Sequence, residues 1–406
     1  MKIGVLTYHC QPNFGAQLQA ISTVGHLRRL GHEPIVLDWY AADLEEMYSK
    51  RIPEAQVRCH QEFTNASLPL SAKCSQEQQL IEEINRQQLD AILVGSDALF
   101  KYVPARNRRH FSKRKLRYIY DFTPLSCELL DGNPFFGAFL KQLAQPIPAS
   151  VYAASSQNCP YGQLTCSERR QMASALSQYK YISVRDAWTK KMIHSVTGRK
   201  EVPIFPDPVF SFKQNCYLPI PSKEEILQRY GLHENYILFS FRNKFCPADY
   251  LTSLATAFKD KGFQPVALPM PEGLFAADIE KKIDIPLTPI DWYALIIYSK
   301  GYVGERMHPI VVCLHNAIPF FNFDEYGTKR PKSFFNKQLV YNPDSSKTRL
   351  IVAEARFVQN LYSYQGGTPF PTPDAVLHQI QHMISKNANS SLRLKPANTK
   401  TPWQKS

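Results

Sequence analysis

The sequence has little of several features that mark large classes of protein. Only 17 of its 406 residues are glycine, and none fall in the Gly-x-Gly-x-x-Gly pattern that marks a dinucleotide site. Its nine cysteines are scattered without a close pair, which argues against a zinc site and against a disulfide framework. No other cluster of metal ligands is visible in the sequence, so we expect no metal.

Long apolar runs are also missing. The longest, residues 309–323, is interrupted by His315 and Asn316 and is too short to span a bilayer. The apolar segment at residues 3–6 is too short for the hydrophobic region of a signal peptide. Together with the odd cysteine count, which suits a reducing compartment, these observations favour a cytoplasmic protein.

Acidic residues are fewer than basic ones: the sequence has 35 Asp and Glu but 48 Lys and Arg, which gives a net charge of +13. The excess includes a basic block at residues 106–117 and a basic tail, residues 387–406, which we expect to be disordered. No nucleic-acid-binding module accompanies these blocks, so a nucleic acid is not an expected partner. The remaining interpretations are solvated surfaces, attraction of an anionic substrate, or peripheral contact of the tail with the inner face of a membrane.

Short apolar strands alternate with helices along much of the chain. Residues 3–8 and 34–39 are β-rich, and between them residues 16–30 form an amphipathic helix that ends at Gly31. Residues 41–90 give no clear assignment. Further strands are predicted at residues 90–97, 151–156, 181–186, 236–242, 265–269 and 320–323. The alternation predicts an α/β fold with parallel sheets.

A polar stretch with two prolines, residues 213–223, divides the chain into two such units. We predict two Rossmann-like domains that face each other across a cleft, a GT-B-like architecture, at residues 1–212 and 224–386. Helices near residues 349–362 and 374–384 close the second domain.

Polar side chains follow many of the predicted strands. In open α/β sheets, ligands bind at the carboxyl ends of the strands, so two such domains place a binding cleft between them. The polar residues at these ends are Asn13, Ser96, Asp97, Arg185 and Arg242.

The most informative segment is residues 301–309, a strand, a turn and the start of an apolar helix. Pro309 suits the first position of a helix, which places His308 near the N-cap and Arg306 in the turn before it. Backbone donors, the positive end of the helix dipole and an arginine then converge on one spot, which predicts a site for a small, doubly anionic ligand. The alternative is that His308 only caps the helix and Arg306 pairs with Glu305.

Nine short segments, in order, resemble the polysaccharide pyruvyl transferase family. The turn at residues 306–308 is similar to the family's arginine-x-histidine turn, and residues 13–20 resemble its asparagine-aromatic-glycine-alanine-x-leucine-glutamine run. The other segments are residues 95–97, 133–136, 152–155, 183–186, 207–209, 289–293 and 299–303. The resemblance extends from about residue 2 to residue 335.

The resemblance implies an enzyme that moves the pyruvyl group of phosphoenolpyruvate onto a sugar of a cell-surface or exopolysaccharide precursor. Phosphoenolpyruvate is then a co-substrate, with no other cofactor. The first domain is the expected acceptor side and the second the expected donor side. Whether the acceptor is nucleotide-linked or lipid-linked stays open.

On this interpretation, His308 is the candidate general acid or base, because histidine titrates near neutrality, and Arg306 holds the phosphate or carboxylate of the donor. The candidates for the donor's other anionic group or the leaving phosphate are Arg242, Arg185 and Lys329. The candidates for contacts to the acceptor are Asn13, Gln17, Ser96 and Asp97.

Two residues depart from the family pattern: Glu305 brings a negative charge to the donor side, and Met307 replaces a common phenylalanine.

Two other functions stay open. A glycosyltransferase of the same architecture would bind a nucleotide sugar, with Glu325 as the candidate acid for its ribose. A non-catalytic member of a polysaccharide assembly complex would keep the fold without the chemistry.

Overall fold

The computed structural model describes residues 1–105, 108–112, 116–120, 123–157, 159–242, 246–324, 358–363 and 369–389. The first half alternates strands and helices around one sheet. Its strands are β1 (Lys2–Leu6), β2 (Glu33–Val36), β3 (Ala91–Val94), β4 (Arg109–Ser112), β5 (Arg117–Tyr120), β6 (Ala149–Ala154) and β7 (Tyr181–Val184). Its helices are α1 (Phe14–Arg29), α2 (Ala42–Ser49), α3 (Glu54–Ser67), α4 (Glu77–Gln87), α5 (Cys166–Leu176), α6 (Ala187–Thr197) and α7 (Phe212–Asn215).

The second half is built in the same way. Its strands are β8 (Tyr236–Ser240), β9 (Gln264–Ala267), β10 (Lys281–Lys282), β11 (Gly301–Gly304), β12 (Phe320–Asp324) and β13 (Leu361–Ser363). Its helices are α8 (Lys223–Tyr230), α9 (Ala248–Lys259), α10 (Pro289–Tyr298), α11 (Met307–Asn316) and α12 (Pro373–Asn389).

Both large sheets are doubly wound and parallel. The first has the strand order β2-β1-β3-β6-β7 and the second the order β10-β9-β8-β11-β12-β13, while β4 and β5 form a separate antiparallel hairpin. Strand order reverses beside β1 in the first sheet and beside β8 in the second, and ligands bind at such switch points. The predicted fold, two Rossmann-like units in a GT-B-like arrangement, is confirmed.

Helix α1 starts two residues earlier than the sequence pattern predicted. The side chain of Asn13 accepts a hydrogen bond from the backbone N–H of Ala16 at 3.2 Å, which satisfies one of the free donors of the first turn. Asn13 is therefore the N-cap and not part of a longer loop. The helix ends next to Gly31, whose φ of +79° only glycine adopts easily.

The end of the described chain differs in part from prediction. Residues 349–357 of the predicted closing helix lie outside the described residues, and its last residues are wrong, because β13 pairs with β12 there. Helix α12 ends at Asn389, so the first three residues of the predicted tail are helical, and residues 390–406 lie outside the described part. None of the described helices is long and apolar enough to cross a membrane.

The two units share one apolar core. Phe14, the first residue of α1, stacks on Trp292 of α10 with ring centroids 5.3 Å apart. Beside this pair, the buried amide of Gln56 in α3 donates to the carbonyl oxygen of Leu287 at 2.9 Å and accepts from its N–H at 2.8 Å. A buried side chain of one unit thus satisfies a backbone group of the other, which fixes their relative position.

His60 lies in this shared core and makes its stability depend on pH. The ring lies 5.1 Å from Phe14, and its Nε2 is buried without a hydrogen-bond partner among the described residues. Burial lowers the pKa of His60 from 6.5 to about 4, although a hydrogen bond with Gln56 acts in the opposite direction. Between these two values the unfolded chain binds a proton that the folded chain does not, so stability decreases as the pH falls.

We predict that this histidine alone costs about 2 kcal/mol of unfolding free energy between pH 7.5 and pH 5. Urea unfolding of the wild type and of His60→Phe at both pH values measures it. The variant should lose less stability on acidification by that amount, because Phe does not titrate. An equal loss in both proteins would contradict the assignment.

Candidate active site

A cavity of about 980 Å³ lies between the two sheets. Its walls come from the segments that follow β1, β3, β8 and β11, the strands at the two switch points. Four of the five polar residues predicted at the strand ends line this cavity: Asn13, Asp97, Arg185 and Arg242. Ser96 does not line it, whereas Arg306, from the turn before α11, does.

Two helices begin at this cavity. Asn13, Phe14 and Gly15 of α1 line it, as do the first residues of α11. Neither helix has an acidic residue in its first turn, so both present the positive end of their dipoles to the cavity. Two converging helix N-termini favour an anionic ligand.

Helix α11 begins earlier than predicted. Arg306, not His308, is the N-cap, and Met307 is the first helical residue. Pro309 is therefore the third residue, a position at which its missing N–H is still without cost. In the described structure, Arg306 makes no side-chain capping bond, so its guanidinium is not used to cap α11.

His308 packs directly against α1. A Cβ atom on Gly15 would lie 2.0 Å from Nδ1 of His308 and 2.1 Å from its Cγ. Both distances are much shorter than a non-bonded contact of a Cβ atom in proteins. Only glycine allows this approach. Gly15 lies in the first turn of α1, where it makes room for the histidine.

Asp207 lies beneath the histidine. Its carboxylate is fully buried, and Oδ2 is 3.9 Å from Nε2 of His308. The same oxygen accepts a hydrogen bond from Nε2 of Gln19 at 2.6 Å and is ion-paired with Arg185, while Oδ1 accepts from the N–H of Val209 at 3.0 Å. One carboxylate therefore connects α1, the loop after β7 and α11.

The negative charge of Asp207 favours a positive charge on the neighbouring His308. Burial would raise the pKa of Asp207, but Arg185 and His308 outweigh burial and hold it below its usual value. Asp207 is therefore ionised near neutral pH. An ionised carboxylate at this distance stabilises the protonated form of an imidazole by charge attraction.

Arg185 has its charge balanced by acidic residues. It is buried, pairs with Asp207, and places Nη2 3.5 Å from Oδ1 of Asp97. It lines the cavity but spends two of its donor nitrogens on these carboxylates. The geometry of Arg185 therefore suits a structural role beneath the site better than direct binding of a ligand.

Arg242 is held by Glu305. The buried carboxylate of Glu305 accepts from Nε of Arg242 at 2.7 Å, from Nη2 at 3.3 Å and from the backbone N–H at 2.5 Å. The negative charge of Glu305 is thus engaged by an arginine instead of facing an anionic ligand alone. Arg242 keeps a half-exposed side chain in the cavity wall.

Arg306 is less constrained than these two arginines. Its nearest carboxylate in the described chain is Glu272, at 4.0 Å, the edge of ion-pair distance. Its Nε is buried and has no hydrogen-bond partner among the described residues. A buried guanidinium nitrogen without a partner is costly, and a bound anion would satisfy it.

Two predicted acceptor contacts are not in the cavity. Gln17 is buried and turned away, with its amide donating to the carbonyl oxygen of His9 and to the hydroxyl of Thr64. Ser96 is buried as well, and its hydroxyl donates to the carbonyl oxygen of Ala153 at 2.9 Å. Lys329 and Glu325 lie outside the described residues.

Sequence reasoning missed residues on the first unit's wall. Tyr48 and Arg51 come from the region that gave no assignment, and Lys101, which follows β3, pairs with Glu128. Burial raises the pKa of Cys127, another wall residue, which favours its neutral thiol. Among the described residues, no group of three or more metal-ligating side chains is placed to hold a metal ion.

The contact of Gly15 with His308 predicts a coupling between the two positions. With His308 present, Gly15→Ala should destabilise the protein by about 1–3 kcal/mol, because the added methyl overpacks the contact. In the His308→Ala background the same change should stabilise α1 by about 1 kcal/mol, the usual gain for alanine in a helix. Denaturant unfolding measures both.

A matched control is Gly162→Ala, where an added methyl meets no atom within 4 Å. If Gly15→Ala has the same effect in both backgrounds, the two residues are not in contact and the site geometry is wrong.

The buried position of Asp207 predicts a large stability effect. Asp207→Asn should lower the unfolding free energy by about 3–5 kcal/mol at neutral pH, because it leaves Arg185 without its closest counter-charge. The depressed pKa means that this contribution is complete above the carboxyl's ordinary pKa and is lost as the pH falls below it. The difference between wild type and variant should therefore shrink in acid.

Unfolding at pH 7 and at successively lower pH measures this, with the exposed Asp284→Asn as control. A difference that does not shrink as the pH falls through the carboxyl's ordinary pKa would contradict a lowered pKa of Asp207 in the folded protein.

Comparisons with solved structures agree with the two-sheet architecture. UDP-GlcNAc 2-epimerase from Methanocaldococcus jannaschii superposes with a TM-score of 0.51 at 9% identity, covering 95% of this chain and 93% of that one. MnaA from S. aureus, solved with UDP, gives 0.50 at 10% identity, covering 95% and 88%. At such identities the similarity concerns the fold alone.

Sequence comparison is more specific. No curated protein sequence matches the chain. The family model of the polysaccharide pyruvyl transferases, however, matches residues 13–325, a span that begins at the N-cap of α1 and includes every cavity residue of α11. The chain belongs to the polysaccharide pyruvyl transferase family.

Proposed function

We propose that the protein transfers the pyruvyl group of phosphoenolpyruvate to a sugar of a cell-surface or exopolysaccharide precursor, forming a pyruvate ketal. The observation that carries the proposal is the joint placement of Arg306 and His308 at the N-terminus of α11, inside a cavity between two switch points. Family membership supports the pyruvyl transfer.

The reaction requires several changes in bonding. A proton adds to the methylene carbon of phosphoenolpyruvate, which leaves an oxocarbenium-like centre at the neighbouring carbon. One sugar hydroxyl attacks that carbon, the bond to the phosphate oxygen breaks, and a second hydroxyl closes the ring. The two hydroxyl protons balance the proton that the methyl group keeps and the one that leaves on the phosphate.

His308 is the proton-transfer group in this proposal. Asp207 lies 3.9 Å below its Nε2 and stabilises the protonated ring, as a general acid requires. The neutral ring formed after proton donation then accepts a proton from the attacking hydroxyl. Gly15 fixes the ring position from the other side.

Arg306 and the positive end of the α11 dipole bind the donor's phosphate or carboxylate. Arg242, positioned by Glu305, is the candidate for the second anionic group. This arrangement answers the concern that Glu305 repels the donor, because its charge is used to orient an arginine. Asn13 and Asp97 remain the acceptor contacts that the cavity wall offers.

We expect phosphoenolpyruvate to raise the melting temperature of the wild type by mass action. Arg306→Ala should lose the shift, whereas His308→Gln should keep most of it, since histidine moves protons rather than holding the phosphate. With a panel of hexosides as acceptors, His308→Gln should release phosphate at least about 100-fold more slowly.

The exposed Arg170→Ala removes an arginine outside the cavity and should behave as the wild type. Stabilisation by nucleotide sugars alone, with no response to phosphoenolpyruvate, would replace this proposal with a glycosyltransferase. Loss of the phosphoenolpyruvate shift in both the Arg306 and the Arg170 variants would show a non-specific charge effect.

A further inference from the structure

The basic side chains of the cavity differ in how close their nearest carboxylate lies. Lys101 pairs with Glu128, Arg185 with Asp207 and Asp97, and Arg242 with Glu305. Among the described residues, two cavity cations have no carboxylate closer than 4.0 Å: Arg306 in the second unit and Arg51 in the first. Arg306 serves the donor in the proposed function, which leaves Arg51 without a role.

Arg51 lies at the edge of the first unit's wall. It follows α2, and its backbone N–H donates to the carbonyl oxygen of Tyr48 at 3.0 Å, which fixes the start of its side chain. Its side chain is exposed, so it stands where the cavity opens to solvent. Leu44 and Met47 on α2 form an apolar surface beside it.

Tyr48 gives this wall a polar contact as well. Its hydroxyl donates to Oε1 of Gln11 at 2.8 Å, and both residues line the cavity. Burial, together with the nearby Asp97, raises the pKa of Tyr48, so the phenol stays neutral and acts through hydrogen bonds. The wall thus combines hydroxyl, amide, apolar surface and one unbalanced cation.

The size of the cavity fits a ligand that extends beyond the reacting sugar. A volume of about 980 Å³ is at the upper end of the range that holds a drug-sized ligand. Phosphoenolpyruvate and a single hexose are both small compared with it. The first residues of α11 and Arg51 line this same cavity.

We infer that Arg51 binds a phosphate of the acceptor, at the end of the acceptor remote from the reacting hydroxyls. The inference rests on the proposed function, since it takes the α11 side as the donor side. An arginine fork suits a phosphate ester, and an exposed position suits a phosphate whose substituent leaves the cavity. The phosphate belongs to either a nucleotide-linked or a lipid-linked sugar, which share this chemistry.

The test compares three sugar probes: a panel of UDP-hexoses, prenyl-diphosphate hexoses with a short prenyl chain, and the corresponding methyl hexosides. Binding is measured by thermal shift, and the Michaelis constant by phosphate release from phosphoenolpyruvate. The variants are Arg51→Gln and Arg51→Lys, with Lys50→Gln as control, because Lys50 is exposed and paired with Glu46 on α2.

Arg51→Gln should weaken binding of a phosphate-bearing probe about tenfold or more, the effect of losing a charge-assisted pair, and leave the methyl hexoside unchanged. Arg51→Lys should restore part of the loss, and Lys50→Gln should have no effect. An effect confined to the UDP-hexoses or to the prenyl diphosphates identifies the natural linkage.

The inference is overturned if Arg51→Gln weakens the neutral and charged probes equally, if it changes neither, or if the wild type binds no phosphate-bearing sugar. Its failure is separable from failure of the proposed function, because the phosphoenolpyruvate shift depends on Arg306 and should be intact in Arg51→Gln. A wild type without that shift would refute the donor assignment while the sugar probes still test Arg51.

Discussion

The site depends on one buried carboxylate. Asp207 receives Gln19 from α1, Arg185 from the end of β7 and, at 3.9 Å, His308 from the second unit. Burying a charge is unfavourable unless it is paired and hydrogen-bonded, so these partners must stay together for the fold to be stable. The same requirement that stabilises the junction of the two units therefore fixes the histidine in the cavity.

Helix geometry explains how α1 serves this carboxylate and the histidine at once. Residues four apart lie on one face of a helix, so Gly15 and Gln19 lie on the same face of α1, with Gly15 against His308 of the second unit and Gln19 against Asp207. Gln17 lies between them in sequence and points to the opposite side, where it bonds to Thr64. Gly15 allows His308 to approach α1 closely, and Gln19 donates a hydrogen bond to Asp207.

Much of this was accessible from sequence, for definite reasons. The parallel fold follows from apolar strands alternating with helices, and the roles considered for Arg306 and His308 follow from a strand, a turn and a helix start, which are local patterns. Ser96 was assigned to the cavity because it follows a predicted strand, and Gln17 because it lies in the N-terminal segment that resembles the family. The direction of a side chain, however, depends on the register of its element. Asp207 gained its importance from partners far away in sequence, and Arg51 from a cavity that distant segments build together, and no local pattern records either.

The basic side chains of the cavity fall into two groups, according to whether a carboxylate lies close to them. Among the described residues, the other cavity arginines and Lys101 each have a carboxylate closer than 4.0 Å. Arg306 and Arg51, which belong to different units, have none that close. A doubly anionic donor on one side and a phosphate-bearing acceptor on the other would meet at His308. This division also explains how a basic protein can hold anions without an indiscriminately positive cleft.

The most direct test of the account follows the pyruvyl group itself. Phosphoenolpyruvate labelled with ¹³C at its central carbon is incubated with the protein and the sugar panel, and the products are examined by NMR and mass spectrometry. The account predicts a labelled ketal carbon on the sugar, formed in equal amount to the phosphate released and absent with His308→Gln. Phosphate release with the label in free pyruvate, or transfer of a glycosyl group from a nucleotide sugar while phosphoenolpyruvate stays intact, would contradict it.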